Sequence, residues 1–450
     1  MAMDCGLGRR EFFGTLLAAG AAGVAAPGAS AADKSPAEAA KPASPLIASA
    51  PVLMNPAERS IDVAFAISGA DASGWVDISM SPDMAKSVRV YSGDGPVMKV
   101  NRLFATIRIR GLRPFTRYYY RIGADRIRLV DEYKPRNLGA EAGSKVYSFM
   151  TLGPDAAAEG EKSAHSAFCV IQDTHANGEA LDLVLSKIAE LKPAAIIWNG
   201  DARNFYRTAA DAINVFLKPH PGHPEYAAET PVMFLNGNHD YRGRFALHLE
   251  DLVTFRDAFE RAPRYASLGR NFAQRIGDVA VIGLDTGEDK LDTNPVSGGI
   301  TRMKHYRELQ TRWLAEAIES DAVKGAKFKV AFCHIPLVEP DPRENPGDLA
   351  PDDWVPGGGY KHPWAAWQRT CANLWGPLFE KAGVCLVSTG HQHRYRLDLP
   401  GGGRTWTHLV AGQFDVVEGR VEGGRLVVRV HDTRGKRIRK TTTFACCVTP

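Results

Sequence analysis

The chain has 450 residues, 44% hydrophobic and 24% charged, with a formal net charge of +4. This is ordinary globular composition with room for two or three domains. Basic residues are dispersed except for the run Arg434 to Lys440, which reads as a solvated strand edge, so no nucleic-acid-binding footprint is present.

At the N-terminus, Arg9 and Arg10 precede Phe12 and Phe13. An apolar Ala/Gly-rich segment runs to Ala26, and Ala29-Ser30-Ala31 forms a small-x-small cleavage site. The apolar part is too short and too glycine-rich to span a bilayer, and nothing else in the chain reads as transmembrane. Residues 1–31 are expected to be an export signal rather than a disordered extension, with residues 32–45 a Pro/Ala-rich linker. Arg-Arg-x-Phe-Phe resembles the twin-arginine class of bacterial signal. That resemblance implies the twin-arginine export machinery as a transient partner, and a folded protein delivered to the periplasm or beyond.

Residues 46–152 read as strands and turns. "SIDVAFAIS", "WVDISMS", "ATIRIRGL" and "TRYYYRIG" are alternating, β-branched or aromatic runs punctuated by Gly and Pro, a rhythm that predicts an all-β sandwich. Leu112, Pro114, Thr116, Tyr118 and Tyr120 resemble the tyrosine corner of fibronectin type III-like domains. The resemblance implies that one tyrosine hydroxyl ties back to nearby backbone while its ring packs inside.

From residue 164 to 445 the rhythm becomes strand, loop, helix. Leu181, Val184, Leu185, Ile188 and Leu191 recur with helical spacing, as do Tyr306, Leu309, Trp313, Leu314 and Ile318. Between them lie strand candidates "AFCVIQ", "AAIIW", "PVMFL", "VAVIGL", "KFKVAFC", "GVCLVS" and "THLVAG". This predicts an α/β domain with buried strands under helices. Two inserts, 202–230 and 339–371, are rich in Pro, aromatics and His, and read as long loops. Of the seven cysteines, Cys5 falls in the signal. Cys169, Cys333 and Cys385 lie in apolar strands as buried thiols, and Cys446 and Cys447 have no assignable role.

In α/β folds ligands gather beyond the carboxyl ends of the strands. Here five strands end in Asp173-Thr174-His175, Gly200-Asp201, Gly237-Asn238-His239-Asp240, His334 and Gly390-His391-Gln392-His393. Each element alone has a bland reading: a helix cap, a turn pair, a satisfied structural histidine. Their joint occurrence points to one shared site. Carboxylate and imidazole ligands without thiolates suit Fe, Mn or Zn, and two such ions can clamp a phosphoryl group and activate water.

The ordered series Asp-x-His, Gly-Asp, Gly-Asn-His-Asp, His and Gly-His-x-His resembles the calcineurin-like metallophosphoesterases. With the β-sandwich ahead of it, the chain is similar to the purple acid phosphatases. The resemblance implies a four-layer αββα sandwich and two metal ions. Asp173, His175 and His393 would hold one ion, Asn238, His334 and His391 the other, and Asp201 would bridge them. It further implies in-line attack by a hydroxide bridging the ions. His239 would stabilise or protonate the leaving oxygen, and Asp240 would orient its ring. The chain departs from the purple enzymes in lacking Gly-Asp-x-x-Tyr. Asn204 stands where the tyrosine would be and Tyr206 is out of register, so a charge-transfer Fe(III) centre is not expected. Asn204, Arg203 and Arg394 are candidate phosphate contacts, with solvated arginines as the bland alternative. His220, His223 and His362, in the inserts, are candidate substrate contacts.

Three functions are compatible with these residues. The favoured one is a hydrolase of small-molecule phosphomonoesters. The second is a phosphodiesterase acting on nucleotides, lipids or glycerophosphodiesters. The third is a non-catalytic surface binding protein working through its sandwich.

Overall fold

The computed structural model describes residues 45–446, except 94, 130–133, 155–164, 247–268, 290–291, 293–299, 339–353, 356–358 and 361–363. The signal, the linker up to residue 44, His362 and Cys447 lie outside the described residues.

The longest sheet runs β22 (Arg437–Phe444), β21 (Arg425–Asp432), β20 (Asp415–Glu422), β9 (Ala167–Ile171), β10 (Ala195–Asn199), β11 (Val232–Leu235), β1 (Val52–Met54), β2 (Ser60–Ala66) and β5 (Phe104–Arg110). A second sheet runs β12 (Phe272–Ile276), β13 (Val279–Gly283), β14 (Phe328–Phe332), β17 (Val384–Thr389), β19 (Thr407–Val410) and β18 (Arg396–Asp398). A third holds β4 (Val88–Tyr91), β3 (Ala72–Ser79), β6 (Arg117–Leu129) and β7 (Pro135–Ala142), with β8 (Tyr147–Met150) also on β6. A small hairpin pairs β15 (Trp354–Val355) with β16 (Gly359–Tyr360).

Side chains alternate along each strand, so one strand serves two cores. In β9, Phe168 and Val170 pack between the first two sheets with Phe328, Val330 and Phe332 of β14. Cys169 and Ile171 face the other way, onto α1 (Gly178–Leu191) and α2 (Ala209–Leu217). The outer face of the second sheet packs on α3 (Met303–Ala317) and α5 (Trp364–Ala382), with α4 (Asp321–Lys324) beside them. The order is helix, sheet, sheet, helix. Among the described residues no helix is long and apolar enough to cross a membrane.

The β region ahead of this core shares a sheet with it. β1 pairs in parallel with β11, Met54 opposite Val232. In β2, Ile61, Val63 and Phe65 enter a core with Tyr118, Tyr120 and Phe149, while Ala64 and Ala66 face the core under α1 and α2. Tyr118 accepts the Arg113 amide on its hydroxyl at 3.0 Å, and its ring stacks on Phe149. Tyr120 donates to the Ala228 carbonyl at 2.6 Å, across to the first insert.

Two loop expectations are corrected. Residues 202–230 carry α2, capped by Thr208 and Asp211, because Ile213, Val215, Phe216 and Leu217 form an apolar face that the sheet buries. Residues 364–371 are the start of α5. The basic run near the end forms β22, an exposed edge strand. Cys169, Cys333, Cys371 and Cys385 are buried thiols, and Cys446 is half-buried.

Candidate metal centre

β9, β10 and β11 are parallel, as are β14 and β17, so their carboxyl ends open at one end of the two-sheet stack. Sharp turns there aim the side chains inward. Asp173, His175, Asp201, His391 and His393 all have left-handed backbone, with φ of 53°, 47°, 52°, 71° and 55°. Each such non-glycine residue costs on the order of 1 kcal/mol or more, so five at one place mark a site held open by its surroundings. The loops also bind one another: the His175 amide donates to the Asp201 carbonyl at 2.9 Å, and the Asp173 amide to the Gly200 carbonyl at 3.1 Å. Gly200, at φ 85°, could not carry a side chain, because a Cβ would lie 2.5 Å from His334 Nδ1. A Cβ at Gly237 would lie 2.2 Å from Asp201 Oδ1.

Two groups of donors result, and Asp201 belongs to both. Asp173, His175, Asp201 and His393 form the first; Asp201, His334 and His391 form the second. In the first, His393 Nε2 is 3.4 Å from Asp173 Oδ1, and His175 Nε2 is 3.7 Å from Asp201 Oδ2. The His175 and His393 Nε2 atoms face each other at 3.0 Å. In the second, His334 Nε2 is 3.2 Å from Asp201 Oδ2, and Asn238 Oδ1 is 3.0 Å from His391 Nδ1. All seven expected ligand residues therefore converge.

The chemistry of this donor set fits cations. His334 Nδ1 is 2.8 Å from the Asn199 carbonyl, which holds its proton there and leaves the Nε2 lone pair facing Asp201 and, at 3.7 Å, Asp173. His334 Nε2 is fully buried and makes no aligned hydrogen bond despite its 3.2 Å approach to Asp201. Facing two carboxylates, that nitrogen needs positive charge beside it, which a proton supplies in the metal-free site and a bound cation would supply in its place. Titration behaviour shows the same demand. Burial, with Asp201 nearby, pushes Asp173 up to about 8. Burial alone would lower His334, yet Asp201 holds it up at about 10. Burial pushes His175 down to about 4 and His391 to about 3, which keeps both imidazoles neutral and able to coordinate.

His239 sits at the rim, with its side chain 27% exposed and Nε2 4.0 Å from Asp201 Oδ2. Asp240 does not orient this ring, contrary to the sequence-based expectation. Its Oδ2 accepts the Asp201 and Gly237 amides at 2.7 and 2.8 Å, and its Oδ1 accepts the Tyr206 hydroxyl at 2.7 Å. A buried carboxylate satisfied by two loop amides and a hydroxyl fixes the loops, and its bonds run to them and not to the imidazole. The ring is set instead by the Asn204 carbonyl, 3.1 Å from Nδ1, and by Arg242. Arg242 Nη1 lies 3.2 Å from Nδ1 and 3.1 Å from Nε2. In the ring plane that position would clash with Cε1, so the guanidinium lies against the ring face. Glu288 and Asp289 anchor it from behind. Arg242 was legible in principle, since it follows His239 by three residues in one 3₁₀ turn.

The other rim candidates resolve differently. Arg203 pairs with Asp211 on α2 at 2.7 Å and is thereby committed to structure. Asn204 is exposed and acts on His239 through its carbonyl. Tyr206 is buried with its hydroxyl tied to Asp240, so it is not a ligand. Arg394 is exposed beside His393. His220 and His223 turn toward Asp182 on α1.

Fold and site together define a two-sheet α/β hydrolase with carboxylate and imidazole donors at the strand ends. The calcineurin-like phosphoesterase family model matches residues 167–395, and the chain belongs to that family. It is thus a phosphate-ester hydrolase, not a non-catalytic binding protein; the family typically binds two metal ions. No curated protein matches the chain. Among solved structures it is similar to purple acid phosphatase PPD1 from yellow lupin (Lupinus luteus) seeds, at 13% identity and TM-score 0.59, covering 88% of this chain and 74% of that one. It is also similar to PhoD, at 11% identity and TM-score 0.58, covering 90% of each chain. At these identities the likeness concerns the fold.

Proposed function

We propose that the chain hydrolyses small-molecule phosphomonoesters outside the cytoplasm, with two cations held by Asp173, His175 and His393 on one side and Asn238, His334 and His391 on the other, bridged by Asp201. The observation that carries the reading is the pair of donor groups sharing one buried carboxylate. Zn, Mn or Fe suits donors of this kind. Two such ions supply Lewis acidity that polarises a phosphoryl oxygen and lowers the pKa of water.

The chain's own residues supply the rest. The Asn204 carbonyl takes the His239 Nδ1 proton's hydrogen bond, which turns Nε2 toward the bowl. His239 then stabilises or protonates the leaving oxygen from Nε2, and burial together with Arg242 holds its pKa below the usual imidazole value. Protonation from Nε2 draws on the imidazolium, which carries protons on both nitrogens, and the lowered pKa makes that imidazolium the stronger acid toward an alkoxide. Tyr206 and Asp240 keep the Asp201 and Gly237 loops in register.

A second reading, hydrolysis of phosphodiesters, is favoured by Asp173-Thr174-His175, which gives the first group two imidazoles and no tyrosine. The two are separated by comparing kcat/KM on aryl phosphate monoesters and bis-aryl diesters with metal-reloaded protein. The proposal expects the monoester to be the better substrate. His239→Ala should cut turnover by about 10²- to 10⁴-fold with metal content unchanged; wild-type turnover would remove its role. Export is supported by Arg9-Arg10 and Ala29-Ser30-Ala31, and is tested by sequencing the mature N-terminus from a twin-arginine-competent bacterium.

A further inference from the structure

A second cluster of metal-type donors lies outside this bowl, on the insert between α2 and β11. The sequence His220-Pro221-Gly222-His223 places Pro and Gly at the centre of a four-residue turn, closed by the His223 amide donating to the His220 carbonyl at 3.1 Å. The turn brings the two imidazoles to one side, with ring centroids 5.6 Å apart. Facing them from the second turn of α1 is Asp182, its Oδ1 3.0 Å from His223 Nε2 and 3.7 Å from His220 Nδ1. Ser186, one helical turn further on, brings its Oγ to 3.3 Å from His223 Nε2. Gly222 adds an independent indication. A Cβ there would sit 3.1 Å from His220 Nδ1, so the missing side chain leaves room beside that donor.

We propose that Asp182, His220 and His223 form a separate divalent-cation site, of the zinc type, that fastens the insert to α1. Three donors of two imidazoles and a carboxylate suit zinc, whose bonds of about 2.0–2.1 Å set neighbouring donors of a tetrahedron roughly 3.3 Å apart. The observed 3.0 and 3.7 Å bracket that separation. The Gly222 amide now donates to His220 Nδ1 at 3.2 Å, and the cation takes over that lone pair. Donors half-exposed as these are leave a fourth position for water or Ser186.

The position explains what such an ion does. Immediately after His223 the chain reaches Glu225, which accepts from Lys145 and the Tyr147 hydroxyl, then Ala228, whose carbonyl accepts from Tyr120. One short segment thus holds the β region on one side, and the ion holds it to α1 on the other. α1 is the helix that directly follows the Asp173–His175 loop.

The test uses the full chain, stripped with chelator and titrated with zinc, with bound zinc counted by elemental analysis. His220→Gln/His223→Gln should bind one zinc ion fewer than wild type and keep wild-type phosphatase turnover. Asp182→Asn, a single near-isosteric change, should lose the same ion, which guards against misfolding of the double variant. In Asp201→Asn, whose active-site donors are impaired, zinc should still raise the melting temperature by a few degrees; in that background the His220→Gln/His223→Gln change should abolish the rise. Equal zinc counts in wild type and both cluster variants would overturn the site, whatever becomes of the active-site reading.

Discussion

Two histidines of the donor groups around Asp201 differ sharply in exposure. His334 is fully buried, fixed through Nδ1 by a carbonyl, and backed by β14. His393, its counterpart in the other group, has a side chain 49% exposed and touches Asp173 from the rim. Each group has a buried member of its own, Asp173 in one and His334 in the other, with His393 the ligand at the surface, and Asp201 joins the two. The difference teaches that ligand removal should have two kinds of consequence. Loss of a core ligand should damage the fold as well as the chemistry, whereas loss of a rim ligand should affect metal affinity alone.

The largest effect is therefore expected from His334→Ala. It removes a donor and leaves the Asn199 carbonyl buried without its partner, so unfolding free energy should drop by about 2 kcal/mol or more and turnover by roughly 10³-fold. Chemical denaturation and initial rates measure both. A variant as stable as wild type would break the contrast. His393→Ala should weaken metal binding by about 10- to 100-fold, with an unfolding midpoint close to wild type. If it destabilised the chain as much as His334→Ala, the rim assignment would fail.

Tyr206→Phe sharpens the comparison from behind the site. It deprives Asp240 of a buried donor and should cost about 1–3 kcal/mol in stability with both donor groups still present. A loss of metals in that variant would mean that Asp240 does more than hold loops.

The smallest effect is a pH dependence in metal-free protein. His175 and His391, lowered to about 4 and about 3 by burial, stay neutral in the fold while their unfolded counterparts protonate near 6.5. Those two contributions are lost as pH drops from about 6.5 toward 4, but Asp173, raised to about 8 by burial, gains stability over the same range and offsets them. His334, raised to about 10, likewise has the opposite sign: its contribution is complete below about 6.5 and is lost as pH rises through about 10. The net fall is expected on the alkaline side, between about pH 6.5 and 10, where Asp173 and His334 both lose their contributions; denaturation midpoints at several pH values check this, and a flat profile there would contradict it.

The ligands were legible because each follows an apolar strand at once, and parallel strands bring their carboxyl ends together. Asp173, Asp201, Asn238, His334 and His391 all converge for that reason. What sits behind them was less legible. The resemblance made Asp240 a partner for the His239 ring, but neighbours in a 3₁₀ turn point apart, and the carboxylate turned to the loop amides instead. Arg307 and Gln310 interrupt the apolar stripe of α3, yet both are buried, donating to the Asp285 carbonyl and, from Arg307, to Thr286. A polar pair of this kind looks like a solvated face in sequence, because its acceptors come from a distant loop. The shared sheet was hidden similarly: the three-residue β1 finds its partner in β11, about 180 positions away, through backbone pairing that leaves no side-chain signature.

The central claim is that Asp201 joins two cation sites into one centre. The direct measurement is the metal content of Asp201→Asn beside wild type, both in the His220→Gln/His223→Gln background so that only the bowl is counted. The account predicts two ions per chain in the parent and loss of both in the Asp201 variant. Retention of two ions would show that the groups are filled independently and that Asp201 is no bridge.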